Sequence, residues 1–130
     1  MRREIVIHSL GHARVALAAA AARGVPVTLA SAPGAALQAG PAWFKAVIDQ
    51  ASETYPQVAV TAILDCGAAP GAAMAALRAE VRHLRFHGAA GLLPKLAEMG
   101  AVFAAPAEEV LDLIDSAEPE TACAAFLGKD

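Results

Sequence analysis

Glu4-Ile5-Val6-Ile7-His8-Ser9 runs directly into Leu10-Gly11-His12, then into an alanine-rich stretch from Ala13 to Arg23 that ends at Gly24; Val25-Pro26-Val27-Thr28-Leu29-Ala30-Ser31 follows. The first segment is short, β-branched and apolar, as a strand requires. The second has helical composition, and Gly24 is placed where a helix ends in a left-handed C-cap. The third is again a strand. A strand, a helix and a strand with no long connections between them form a βαβ unit, whose two strands are parallel.

The same plan recurs along the chain. Residues 32–40 are a loop rich in alanine, glycine and proline, and Pro41 suits the first turn of a helix. Trp43, Phe44, Val47, Ile48 and Ala51 share one helical face. The run from Val58 to Leu64, apolar but for Thr61 and without a charge, suits a central strand covered on both faces. Further on, Pro70 to Glu80 reads as a helix, Arg82 to His87 as a strand, Leu92 to Met99 as a helix ended by Gly100, and Val102-Phe103 as a short strand. Pro106 to Asp115 reads as a last helix, with Glu108 and Glu109 in its first turn where the helix dipole favours negative charge.

These units predict an α/β fold: a three-layer doubly wound sandwich on a five-stranded parallel sheet. The flavodoxin-like order 2-1-3-4-5 puts the second strand at an edge, where Pro26 costs no ladder hydrogen bond. One feature resists this order. Leu84 and Phe86 alternate with His83, Arg85 and His87, and alternation marks a strand exposed on one face or meeting a ligand there. A complete (β/α)₈ barrel is not expected, since that fold typically takes about 250 residues.

At 130 residues the chain matches one domain. Residues 1–117 are expected to form it, and residues 118–130 a tail whose apolar middle, Cys123 to Leu127, docks on the domain or on another subunit. With 57% hydrophobic and 18% charged residues the chain is too apolar for disorder. Arg23, Lys45, Asp65, Arg78 and Lys95 interrupt every stretch that would approach a membrane span, and Glu4 interrupts the start of any signal peptide. The expectation is a water-soluble cytoplasmic protein without a membrane partner. A net charge of −3 with scattered basic residues argues against nucleic acid.

In open parallel sheets ligands bind beyond the carboxyl ends of the strands. Here those ends deliver His8, Ser9 and His12 from the first strand, Ser31 from the second, Asp65, Cys66 and Gly67 from the third, and His87 and Gly88 from the fourth. In order 2-1-3-4-5 the first and third strands flank the crevice, which makes His8, Ser9, Asp65 and Cys66 neighbours. The expected catalytic residues are therefore Cys66, Asp65 and His8. The expected ligand-binding residues are Ser9, Gly11, His12, Ser31, Gly67, His87 and Gly88. The glycine turns at Gly11, Gly67 and Gly88 lead into helix N-termini, which suit a phosphate or carboxylate. Strand ends are also simply where polar residues cap helices and glycine permits tight turns.

Neither GxxxxGK[ST] nor GxGxxG occurs, cysteines without CxxC spacing read as free thiols, no metal-ligand spacing is present, and nothing names a cofactor. Residues 63–77, from Ile63-Leu64-Asp65-Cys66-Gly67 through Pro70 to Leu77, resemble the active-site strand, loop and helix of rhodanese-type sulfurtransferases, without the arginine that the family's loop usually carries. That resemblance implies a Cys66 nucleophile. The leading expectation is a domain, catalytic or not, that takes a small anionic ligand at the carboxyl edge of the sheet. The rival from another class is a non-catalytic module that forms a homo-oligomer through its apolar surface and tail.

Overall fold

The computed structural model describes residues 2–129; Met1 and Asp130, the outermost positions of the expected domain and tail, lie outside it. In chain order the elements are β1 (Arg3–Val6), α1 (Leu10–Arg23), β2 (Val27–Ala30), α2 (Ala35–Gln38), α3 (Pro41–Thr54), β3 (Val60–Asp65), α4 (Pro70–Arg78), β4 (His83–Arg85), α5 (Leu93–Glu98), β5 (Val102–Phe103), β6 (Glu109–Asp112) and α6 (Pro119–Leu127). All strand pairs are parallel, in the order β5-β4-β3-β2-β1-β6. The α/β class and the parallel sheet are as the sequence predicts. The strand count, the order and the layering differ.

The sixth strand comes from the segment expected as the last helix. Val110, Leu111, Leu113 and Ile114 fit a helical stripe, but they also alternate in burial. The backbone pairs along the edge of β1, with Arg3 opposite Glu109 and Val6 opposite Asp112. Nor is β2 an edge strand. It lies between β1 and β3, and its ladder begins at Val27, whose N–H donates to Ala59, so Pro26 stands just outside the hydrogen-bonded stretch and removes nothing.

Successive right-handed crossovers from β1 to β5 all step the same way, so their helices fall on one face. The packing agrees. Ile5, Ile7, Val27, Leu29, Leu64 and Leu84 point into a core shared with buried residues of every α-helix, from Leu17 and Phe44 to Leu96 and Phe126. The opposite face carries a small cluster of Val6, Ala30 and Ile63, with Ala104 packed against it. Instead of three layers there is a sheet with helices on one side. This explains the alternation in β4, where Leu84 enters the core while His83 and Arg85 look out from the helix-free face.

β5 and β6 are the two edges, yet only residues 104–108 join them. Flat, the five strand spacings between them would measure about 24 Å, more than the roughly 20 Å this link can span. The sheet is therefore curled, concave on the helix-free face, and the link crosses that concavity as a strap. A return step in the opposite direction stays right-handed only on that face. The strap is tied down by Arg85, which donates to the Ala105 carbonyl at 3.0 Å. Arg85 also forms a two-pronged ion pair with Glu4 of β1, both contacts 2.5 Å.

The C-terminal segment forms α6, which lies against α1, with Cys123 and Phe126 buried and Arg23 donating to the Ala124 carbonyl. Gly24 takes φ +65° and closes α1 as the expected left-handed cap.

Candidate functional site

Parallel strands bring every carboxyl end to one rim, and the structure divides the predicted residues there into two sets. One set builds the rim. Ser31 is buried at the end of β2; its hydroxyl accepts the Asp65 N–H at 2.9 Å and donates to the Ala32 carbonyl. Asp65 Oδ1 accepts the N–H groups of Gly34 and Gly67 at 3.0 and 2.9 Å, holding the loops after β2 and β3 together. Gly67 has φ +57°, and the His87 N–H donates to its carbonyl. A side chain on Gly88 would put Cβ 2.9 Å from the Ala68 carbonyl oxygen, so glycine is needed for that approach. Ser9 is the N-cap of α1, accepting the His12 N–H at 3.0 Å.

The other set presents chemistry. His8, just beyond β1, places Nε2 2.7 Å from Asp112 Oδ1 at the end of β6. A carboxylate can only accept, so Nε2 carries a proton, and in the neutral ring the lone pair falls on Nδ1. The Ile114 N–H donates to the same Asp112 oxygen at 3.0 Å. Burial would raise the Asp112 pKa, but this amide and His8 outweigh it and hold the carboxyl below its usual range. His12 sits edge-on to His8, ring centres 5.8 Å apart, and its Nδ1 accepts the His8 backbone N–H at 3.0 Å. Desolvation, reinforced by His8, lowers the His12 pKa despite the opposing pull of Asp112, which keeps it neutral with its proton on Nε2. His87 is 66% exposed and its Nε2 is 3.6 Å from Asp65 Oδ2, an electrostatic neighbour rather than a hydrogen bond.

Cys66 belongs to neither set. It is fully buried in the helix-side core, and desolvation, helped by Asp65, pushes its thiol up to about 11. A nucleophile needs an exposed, low-pKa thiol, so the geometry is that of a packing residue and gives the sulfurtransferase-like reading no support. The expected crevice between β1 and β3 is also absent, because β2 fills it. Among neighbouring strands only β1 and β6 are not consecutive in the chain, and His8 and Asp112 meet there. Asp112 is not among the residues the sequence predicts for the rim, because the apolar positions of its segment also fit a helix; the alternation of residues 109–114 is the signal that finds it. Gly11 is exposed in the first turn of α1, a turn without acidic residues.

A further cavity lies away from the rim. A groove of about 770 Å³ lies on the other side of the strap, toward the amino ends of the strands. Among the described residues no three His, Cys, Asp or Glu side chains gather as a metal site, and no helix is long and apolar enough to cross a membrane. Compared with known proteins, the chain matches no protein-family model and no curated protein sequence.

Proposed function

We propose that the protein is a small-ligand-binding α/β domain whose carboxyl rim takes the anionic group of its ligand beside His8 and moves a proton through that imidazole. The observation that carries this reading is the 2.7 Å pair of His8 and Asp112 at the one discontinuity in strand order. Sites in parallel sheets favour such discontinuities. The carboxylate orients the ring and stabilises its charged form, the arrangement that makes an imidazole a general base. The anion would lie on the Leu10 and Gly11 amides, the first-turn N–H groups of α1 that the Ser9 cap does not take, beside the neutral His12 donor. In this role His8 handles the proton, Asp112 positions it, and Ser31, Asp65, Gly67 and Gly88 hold the loops.

Amide chemical-shift mapping with inorganic phosphate and with acetate tests the reading. Shifts centred on His8, Leu10, Gly11 and His12 that weaken about tenfold in His8→Ala support it, a loss of about 1.4 kcal/mol. Shifts elsewhere, or none at tens of millimolar probe, count against it.

A second reading, self-association, is favoured by Met99, Val102 and Phe103, three exposed apolar residues at the β5 edge. Sedimentation decides it: a monomer throughout the micromolar range removes it.

A further inference from the structure

We propose that the groove below the strap is a separate binding site for a small organic anion with an apolar body. It does not depend on the rim reading. Its volume of about 770 Å³ lies within the ordinary range for small-molecule sites.

Three properties of its wall select the ligand class. The floor carries Thr28 and Thr61, directly opposite each other on β2 and β3, with His83 beyond them. No side-chain hydrogen bond is made by these three among the described residues, so they are available to a ligand's polar atoms. Phe103, Ala104, Ala105 and Leu127 supply apolar surface.

The third property is charge. Glu4 is the one carboxylate in the described wall, 5% exposed and neutralised by both prongs of Arg85. Arg2, Arg3 and Lys129 line the opening, where Arg3 and Lys129 pair with Glu109; among the described residues there, three basic groups meet that one carboxylate in a chain whose net charge is −3. The strap and the Glu4–Arg85 pair separate this compartment from the rim. Rows of side chains at Thr28 and Asp65 are four residues apart in register, roughly 13 Å along the strands.

The test is titration of the whole chain with anilinonaphthalene sulfonate, an aromatic anion that fluoresces when desolvated, followed by amide shift mapping. The expected result is one saturable site, with shifts at Thr28, Thr61, His83 and Phe103. Replacing both threonines by valine keeps the shape and removes the hydroxyls, and it should weaken binding about fivefold. Arg2→Gln should weaken it about threefold, with a smaller salt dependence. The melting temperature of each variant, measured in parallel, separates lost binding from lost folding. Shifts that map to the rim or scatter over the surface, or binding that folded valine and glutamine variants leave unchanged, would overturn the proposal.

Discussion

Glu4 on β1 and Arg85 on β4 meet across two intervening strands, oxygen to nitrogen at 2.5 Å on both prongs, on the face of the sheet that no helix covers. The Arg85 guanidinium also holds the strap through Ala105, so one side chain joins both halves of the concave face. Side-chain hydrogen bonding to Glu4 raises the Arg85 pKa further, against the cost of burial.

Removing one partner leaves the other charged and mostly buried. Glu4→Gln should therefore destabilise the fold by about 3 kcal/mol, and Glu4→Leu with Arg85→Leu should recover most of that loss. Urea unfolding of the single and double variants measures both. A double variant as unstable as the single would show that the pair's role is not mainly electrostatic.

Glu80 has φ +67°, the one described non-glycine residue in the left-handed region, where a Cβ is strained. Glu80→Gly should raise stability by about 0.5–1 kcal/mol, the relieved strain exceeding the added freedom of the unfolded chain. Glu80→Val should lower it by about 1 kcal/mol or more, because β-branching sharpens the clash. Thermal melts of the two variants give the comparison.

Cys66 and Cys123 are both fully buried, and desolvation pushes each thiol up to about 11. Native protein at pH 8 should resist iodoacetamide, with both thiols reacting once urea unfolds the chain. The native state holds these protons above the ordinary value of 9.0, so stability from this source is full below pH 9 and declines as pH rises toward 11. Rapid native alkylation of Cys66 would reopen its candidacy as a nucleophile.

His12 responds in the other direction. Its folded pKa lies below the ordinary value of 6.5, so below pH 6.5 the unfolded chain binds a proton that the native chain resists. Stability should be flat above pH 6.5 and fall as pH drops beneath it, with a slope from this one group of at most about 1.4 kcal/mol per pH unit. His12→Asn should flatten that slope in denaturant titrations between pH 7 and pH 5.

Much of this fold is readable from local pattern. The β-branched run ending at His8, the alanine-rich helix closed by Gly24 and the stripe through Phe44, Val47 and Ala51 each identify their element without tertiary information. Strand order is not local. Pro26 suggested an edge, but whether a proline blocks a ladder depends on which residue begins pairing, and pairing begins at Val27. Residues 109–114 satisfy both periods, and the open edge of β1 decides between them. The rim followed from parallel strands alone, so His8, Ser31, Asp65 and His87 were placed at one end of the sheet. Their roles were not readable: Cys66 and Asp65 are adjacent in sequence, yet pleating sends one into the core and the other to the concave face.

The proposed function requires Asp112 to orient His8 toward a ligand at the rim. Long-range proton–nitrogen spectra of the imidazoles at pH 8, recorded with and without inorganic phosphate, test this most directly. The prediction is a single His8 tautomer with its proton on Nε2, lost in Asp112→Ala, and a phosphate-dependent shift of His8 Nδ1 together with the Leu10 and Gly11 amides. Mixed tautomers that Asp112→Ala leaves unchanged, or phosphate that moves none of these signals, would contradict it.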